Sequence, residues 1–161
     1  MAHDRAIALA ERALAMSDIS ARKLNVMIVD DDPSIVRLLN VMLNQQFSQA
    51  INLHNVTDAR HALAWIKTHC CDILISDIEM PGLDGLQLLK AAKSRNAWTQ
   101  VVFITGHSSL DRLTEALEWG ASDYLLKPID VQEVVEVVGQ LARRCARWQS
   151  AVLGTFAAAV E

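Results

Sequence analysis

From Leu24 to about Cys145, short apolar runs alternate five times with segments whose apolar residues recur at helical spacing. This alternation predicts βαβ units on a parallel sheet. The strands read at Asn25-Val26-Met27-Ile28-Val29, more weakly at Ile51 to His54, then at Ile73-Leu74-Ile75, Val101-Val102-Phe103-Ile104 and Tyr124-Leu125-Leu126. Pro33 and Ser34 open a first helix whose stripe is Ile35, Leu38, Leu39, Met42 and Leu43. Asp58 caps a second, with Ala59, Ala62, Leu63 and Ile66 inward. A third covers about Gly85 to Ser94, and a short fourth lies near Leu110 to Trp119, closed by Gly120. The last starts near Asp130. The inner strands lack polar alternation, so helices should cover both sheet faces. The expected class is α/β, a doubly wound three-layer α/β/α sandwich with right-handed crossovers.

The 161 residues suffice for one core and not for two ordinary domains. Apolar residues make up 52%, which argues against disorder over most of the length. The net charge of −4 supplies no basic face for nucleic acid. Arg143, Arg144 and Arg147 form the one dense basic stretch, read as an exposed helix face. Cys70, Cys71 and Cys145 lack the spacing of a disulfide framework or a zinc site. Glu11 and Arg12 interrupt any signal-peptide pattern, and Ala151 to Val160 is too short to span a bilayer. A soluble, cytoplasmic protein with no membrane or direct nucleic-acid partner is expected.

In doubly wound sheets, ligands sit beyond the carboxyl ends of the strands. Asp30 and Asp31 end the first strand, Asp77 the third, Thr105 the fourth and Lys127 the fifth. Three carboxylates thus converge at one edge, where their repulsion calls for a cation. A hard divalent ion with oxygen ligands answers this, and Mg²⁺ suits a few carboxylates plus a phosphate. The chemistry this set favours is phosphoryl transfer to a carboxylate. Asp77 would be the nucleophile and Lys127 a second positive charge. Thr105 would offer a hydroxyl to a phosphoryl oxygen, with Gly106 leaving room beside it.

Four motifs then carry a resemblance: Val-Asp-Asp-Asp-Pro at 29–33, Asp-Ile-Glu-Met-Pro-Gly-Leu-Asp-Gly at 77–85, Ile-Thr-Gly at 104–106 and Gly-Ala-Ser-Asp-Tyr-Leu-Leu-Lys-Pro at 120–128. In this order, residues 24–145 closely resemble the receiver domains of bacterial two-component response regulators. The resemblance implies a flavodoxin-like fold with strand order 2-1-3-4-5. It implies Asp77 as phospho-acceptor, Asp31 as a direct Mg²⁺ (or Mn²⁺) ligand, and Asp30 acting largely through water. Glu79 would lend its backbone carbonyl to the metal. Thr105 and Tyr124 would be the switch pair, and Lys127 would pair with the acceptor and then the phosphate. Glu79 and His107 would modulate dephosphorylation. The implied partner is a sensor histidine kinase or phosphotransfer protein. The chemistry would be self-catalysed acceptance with slow loss, not turnover as an enzyme.

Simpler readings apply elsewhere. Asp32 should help the first helix's N-terminus rather than bind metal, and Asp84 should cap the third. His107 reads equally as an exposed loop residue, and Tyr124 could be ordinary strand packing. His3, His54, His61 and His69 show no metal spacing, and the four tryptophans read as packing or surface anchors. Residues 1–23 form a helical extension with Leu9, Ala13 and Met16 on one stripe, and Met16 would itself make a plausible start. Residues 146–161 extend the last helix or form a linker stub. Val134, Val138, Leu141, Cys145, Trp148 and Val152 form a heptad-like stripe, although Gly154 weakens a helix there. That stripe would serve a homodimer through the terminal helices or a join to the N-terminal helix. With no output motif in sight, the chain would stand alone or precede a domain of a longer protein.

Two other function classes compete. A haloacid-dehalogenase-type phosphohydrolase also uses a strand-end aspartate, but needs a second aspartate where this chain has Glu79. A phosphate-independent scaffold would not need Asp31, Asp77, Thr105 and Lys127 together.

Overall fold

The computed structural model describes residues 22–160. The helix expected within 1–23 lies outside the described residues, except for Arg22 and Lys23, which are not helical. Strands β1 (Leu24–Val29), β2 (Ile51–Val56), β3 (Ile73–Ser76), β4 (Gln100–Thr105) and β5 (Asp123–Leu126) alternate with helices. The helices are α1 (Pro33–Phe47), α2 (Ala59–Thr68), α3 (Gly85–Arg95), α4 (Leu110–Glu118) and α5 (Val131–Val160). All strand pairings are parallel, in the order β2-β1-β3-β4-β5. The expected class and strand order are both found.

Strand alternation divides the core into two layers. Val26 and Ile28 of β1 join Ile73, Ile75, Val102 and Ile104 on one face, under α1 and α5. Met27 and Val29 join Leu74, Val101 and Phe103 on the other, under α2, α3 and α4. Each fully buried aliphatic side chain contributes about 1.5–3 kcal/mol, so burial on both faces holds the sheet central. β2 runs two residues beyond His54, pairing through Val56 with Val29. Polar Asn55 hid this end, and its amide donates to Asn40 of α1 at 2.8 Å.

Local chemistry sets the helix starts. Asp32 caps α1 by accepting from Ser34 N at 2.8 Å, with Pro33 next. Asp58 caps α2 through Arg60 N. Asp84 and Gln87 form a reciprocal capping box on α3, each bond 2.9 Å. Gly120 closes α4 with φ of +82°, the left-handed region that favours glycine. α4 buries only Ala116 and is tied to α3 by Arg112–Asp84 at 3.0 Å and Lys90–Glu115 at 2.7 Å. α5 is continuous through Gly154. Among the described residues, no helix is long and apolar enough to cross a membrane.

Candidate functional site

Sheet register builds the site. β1 and β3 pair through Val29 and Ser76, and Asp77 N donates to Val29 O at 3.0 Å. The next residues, Asp30 and Asp77, therefore leave adjacent strands side by side. Lys127 N donates to Thr105 O at 2.9 Å, which brings the lysine to the same edge just before a cis Lys127–Pro128 peptide. The Lys127 ammonium donates to Asp30 Oδ2 at 2.8 Å and to Asp77 Oδ2 at 2.9 Å.

The other carboxylate oxygens are also held. Asp30 Oδ1 accepts from Asp32 N at 2.9 Å, and Asp77 Oδ1 from Ile78 N at 2.6 Å. Asp30 and Asp77 are buried, at 2% and 8% exposure, whereas Asp31 is exposed. One carboxylate oxygen from each of the three lies within 4.8 Å of the others. With one ammonium among three carboxylates, full ionisation leaves negative charge in excess.

The ionisation of this group follows from burial and pairing. Burial pushes the Asp30 carboxyl above its ordinary range, outweighing the bonds from Lys127 and Asp32 that favour its charge. Burial also disfavours charge on Lys127. There, the hydrogen bonds and charges of Asp30 and Asp77 win and hold the ammonium above its usual value.

The loop after Asp77 is drawn tight. Gly85 N donates to Ile78 O at 2.8 Å, and a Cβ at Gly85 would run into the Asp77 carbonyl oxygen. Glu79 is exposed and lines an open cleft with Met80, Pro81, Asp84 and Arg112.

Thr105 is fully buried at the end of β4. Its hydroxyl oxygen accepts from His107 N at 3.3 Å. Half-buried Tyr124 packs edge-on against Phe103, with ring centroids 6.2 Å apart. Its hydroxyl pairs with Ser108 Oγ at 3.0 Å, in the segment leading to α4. His107 is exposed. The geometry thus gathers Asp30, Asp31, Asp77 and Lys127 at one point, with Thr105 ending the neighbouring strand and Tyr124 directed to Ser108.

Sequence reasoning did not find Ser108 or the Arg112–Asp84 ion pair. Ser108 sits in an ordinary Ser-Ser loop, and Asp84 and Arg112 are separated by a helix, a strand and two loops, so neither carries a local signal. The pairing of His54 and His69 around Trp65, both ring centroids 4.6 Å away, was also unread. Burial and the nearby His69 lower the His54 pKa. Arg143, Arg144 and Arg147 are exposed on α5, as expected, and all three cysteines are free thiols.

A doubly wound sheet with a lysine-bridged acidic cluster at its carboxyl edge defines a flavodoxin-like α/β domain. The chain belongs to the response regulator receiver domain family, whose model matches residues 26–139. It therefore has the receiver module of two-component systems. It is 43% identical over 113 residues to the DNA-binding transcriptional regulator NtrC of Escherichia coli, covering 70% of this chain and 24% of that protein. It is 35% identical over 117 residues to the response regulator protein PilR of Pseudomonas aeruginosa, covering 73% and 26% respectively. The chain thus spans about a quarter of these relatives' length. The solved signal receiver domain of an HD domain-containing protein from Pseudomonas fluorescens superposes with a TM-score of 0.71 at 27% identity, covering 78% of this chain and 99% of that one. A CheY-like receiver domain protein from Methanospirillum hungatei shares the fold, with a TM-score of 0.73 at 23% identity, covering 78% and 98%.

Proposed function

We propose that Asp77 accepts a phosphoryl group from a phosphohistidine of a sensor histidine kinase or phosphotransfer protein, in the cytoplasm. The observation that carries this reading is the Lys127 ammonium bonded to both Asp30 and Asp77 within a three-carboxylate cluster. An Asp77 oxygen forms the new bond to phosphorus as the phosphorus–nitrogen bond of the donor breaks, and the imidazole departs with the bonding pair. Lys127 keeps a positive charge beside the oxygens on which negative charge collects.

The donor set fits a divalent cation, because three clustered carboxylates supply hard oxygen ligands and charge in excess of one ammonium. Asp30, Asp31 and Asp77 would hold Mg²⁺ or Mn²⁺, with the Glu79 carbonyl as a further ligand. Such an ion neutralises charge on a phosphoryl group and screens the carboxylates from one another. Thr105 then donates its hydroxyl to a phosphoryl oxygen. Tyr124 leaves Ser108 as the segment 106–109 follows, which shifts an existing conformational equilibrium. Glu79 and His107, both exposed, set the rate of phosphoryl loss through water access.

The protein is a switch rather than a turnover enzyme, with its output in a partner or a downstream domain outside this chain. Glu79 stands where a haloacid-dehalogenase-type phosphohydrolase needs its second aspartate, which favours the switch over that reading. Beryllofluoride with Mg²⁺ tests the proposal, followed by the NMR signals of Thr105, Ser108 and Tyr124. All three should move in the wild type and stay still in Asp77→Asn. Equal movement in both proteins, or none in either, contradicts it.

A further inference from the structure

At the pole of the sheet opposite the acidic cluster, the flank between α5 and β5 carries the reverse charge. Gln140, Arg143, Arg144 and Arg147 recur at three- and four-residue spacing, so they form one stripe on α5. Together with Ser122 and Asp123, at the start of β5, they line an open recess of about 330 Å³. That size lies within the range of small-ligand sites. Lys93, in the last turn of α3, adds a fourth cation. Its ammonium nitrogen lies beside Gly120, two residues before Ser122. Burial, and then the charge of Arg144, hold that ammonium below its usual pKa.

Little offsets this charge. Among the described residues, none of the three arginines forms an ion pair. Asp72, the buried acid of the same pole, is already taken by the Arg22 guanidinium at 2.8 and 2.9 Å. Glu136 lies one turn back from the stripe, where it accepts from Gln140 at 3.4 Å. Asp123 is the one acid among the lining residues. Arg143 and Arg147 repel each other at a spacing of four, a cost that a bound anion removes.

We propose that this recess binds a nucleotide through its phosphate groups. Arg144 and Arg147 present planar forks that match phosphate oxygens two at a time. Arg143, whose guanidinium lies back over Gly139, supplies charge at the rim. Ser122 Oγ donates to Gln100 Oε1 at 2.9 Å and accepts from Val101 N at 3.2 Å, which fixes that wall of the recess. Asp123 selects a nucleotide over a bare phosphate. Its Oδ1 accepts from Tyr124 N at 2.8 Å, which leaves Oδ2 to accept from a sugar hydroxyl. A bare phosphate would meet that carboxylate as a like charge. Such a site works independently of phosphoryl transfer to Asp77.

Adenosine diphosphate titrated into the full chain under chelator, followed by amide NMR, tests this. The signals of Ser122, Asp123, Gln140 and Arg144 should shift saturably, while those of Asp30 and Asp77 stay still. Arg144→Ala with Arg147→Ala removes two exposed side chains and should weaken binding roughly tenfold or more, with the sheet signals unchanged. Lys67→Ala, a cation removed elsewhere, should bind like the wild type. Pyrophosphate should bind more weakly than the nucleotide. Equal binding of the two would overturn the nucleotide assignment. So would saturation that survives the double arginine variant, shifts centred on the acidic cluster, or no response at all.

Discussion

β3 is four residues long and has an aspartate next to each end, Asp72 before it and Asp77 after it. Both are buried, and their surroundings differ in sign and completeness. Asp72 faces one guanidinium that binds both of its oxygens, plus a backbone N–H. Asp77 shares its single ammonium with Asp30 and has exposed Asp31 close by. At one pole the charge is matched and the hydrogen bonding complete, so the carboxylate fastens the chain. At the other the charge is in excess and one flank is open, and this carboxylate is the one we propose as the phosphoryl acceptor. The residue type is the same at both ends of β3, and the company decides its role.

This contrast can be broken from either end. The largest effect is expected at the reactive pole, where Lys127→Ala should slow phosphoryl acceptance by small donors on the order of 10²–10³-fold, measured by intact mass against time. Acceptance at the wild-type rate would mean that the ammonium takes no part. At the matched pole, Asp72→Ala should cost stability of about 2–4 kcal/mol in denaturant unfolding, because it strands Arg22 and Asn25 N. Asp77 should remain competent in the folded variant. Between the poles, Gly85→Ala should cost about 1–3 kcal/mol and disturb the Asp77 main chain, because the added methyl meets the Asp77 carbonyl.

The smallest effect concerns Asp30. Its carboxyl is raised above the unfolded value by burial, so the folded state holds its proton more tightly. Its contribution to stability is therefore full below the unfolded pKa and is lost as pH rises through the folded pKa. At neutral pH without divalent cation, Asp30→Asn should raise stability by about 1 kcal/mol. Mg²⁺ should then stabilise the wild type more than the variant. A variant less stable than wild type under chelator would show that the Lys127 bond outweighs burial.

The two poles were not equally visible in the sequence. Asp30, Asp77 and Lys127 each follow directly on a strand and Thr105 ends one, so one rule about strand ends gathered them, and family motifs supplied their order in the sheet. Asp32, Asp58 and Asp84 were legible as caps because capping is decided within three residues. Asp72 drew no notice. It precedes a strand rather than ending one, and its partner lies fifty residues earlier in the chain. The link from Tyr124 to Ser108 was hidden for a similar reason, since a serine in a loop offers nothing until the fold delivers a phenol to it. Local signals fixed the elements, while pairings across the fold needed coordinates.

The claim that Asp77 is the reactive member of the two aspartates is tested most directly by intact-mass measurement with acetyl phosphate and Mg²⁺. One phosphoryl group per chain is expected on wild type and on a folded Asp72→Asn variant, and none on Asp77→Asn. Phosphorylation that persists in Asp77→Asn, or a wild type that accepts none from acetyl phosphate or a phosphohistidine donor, would contradict it.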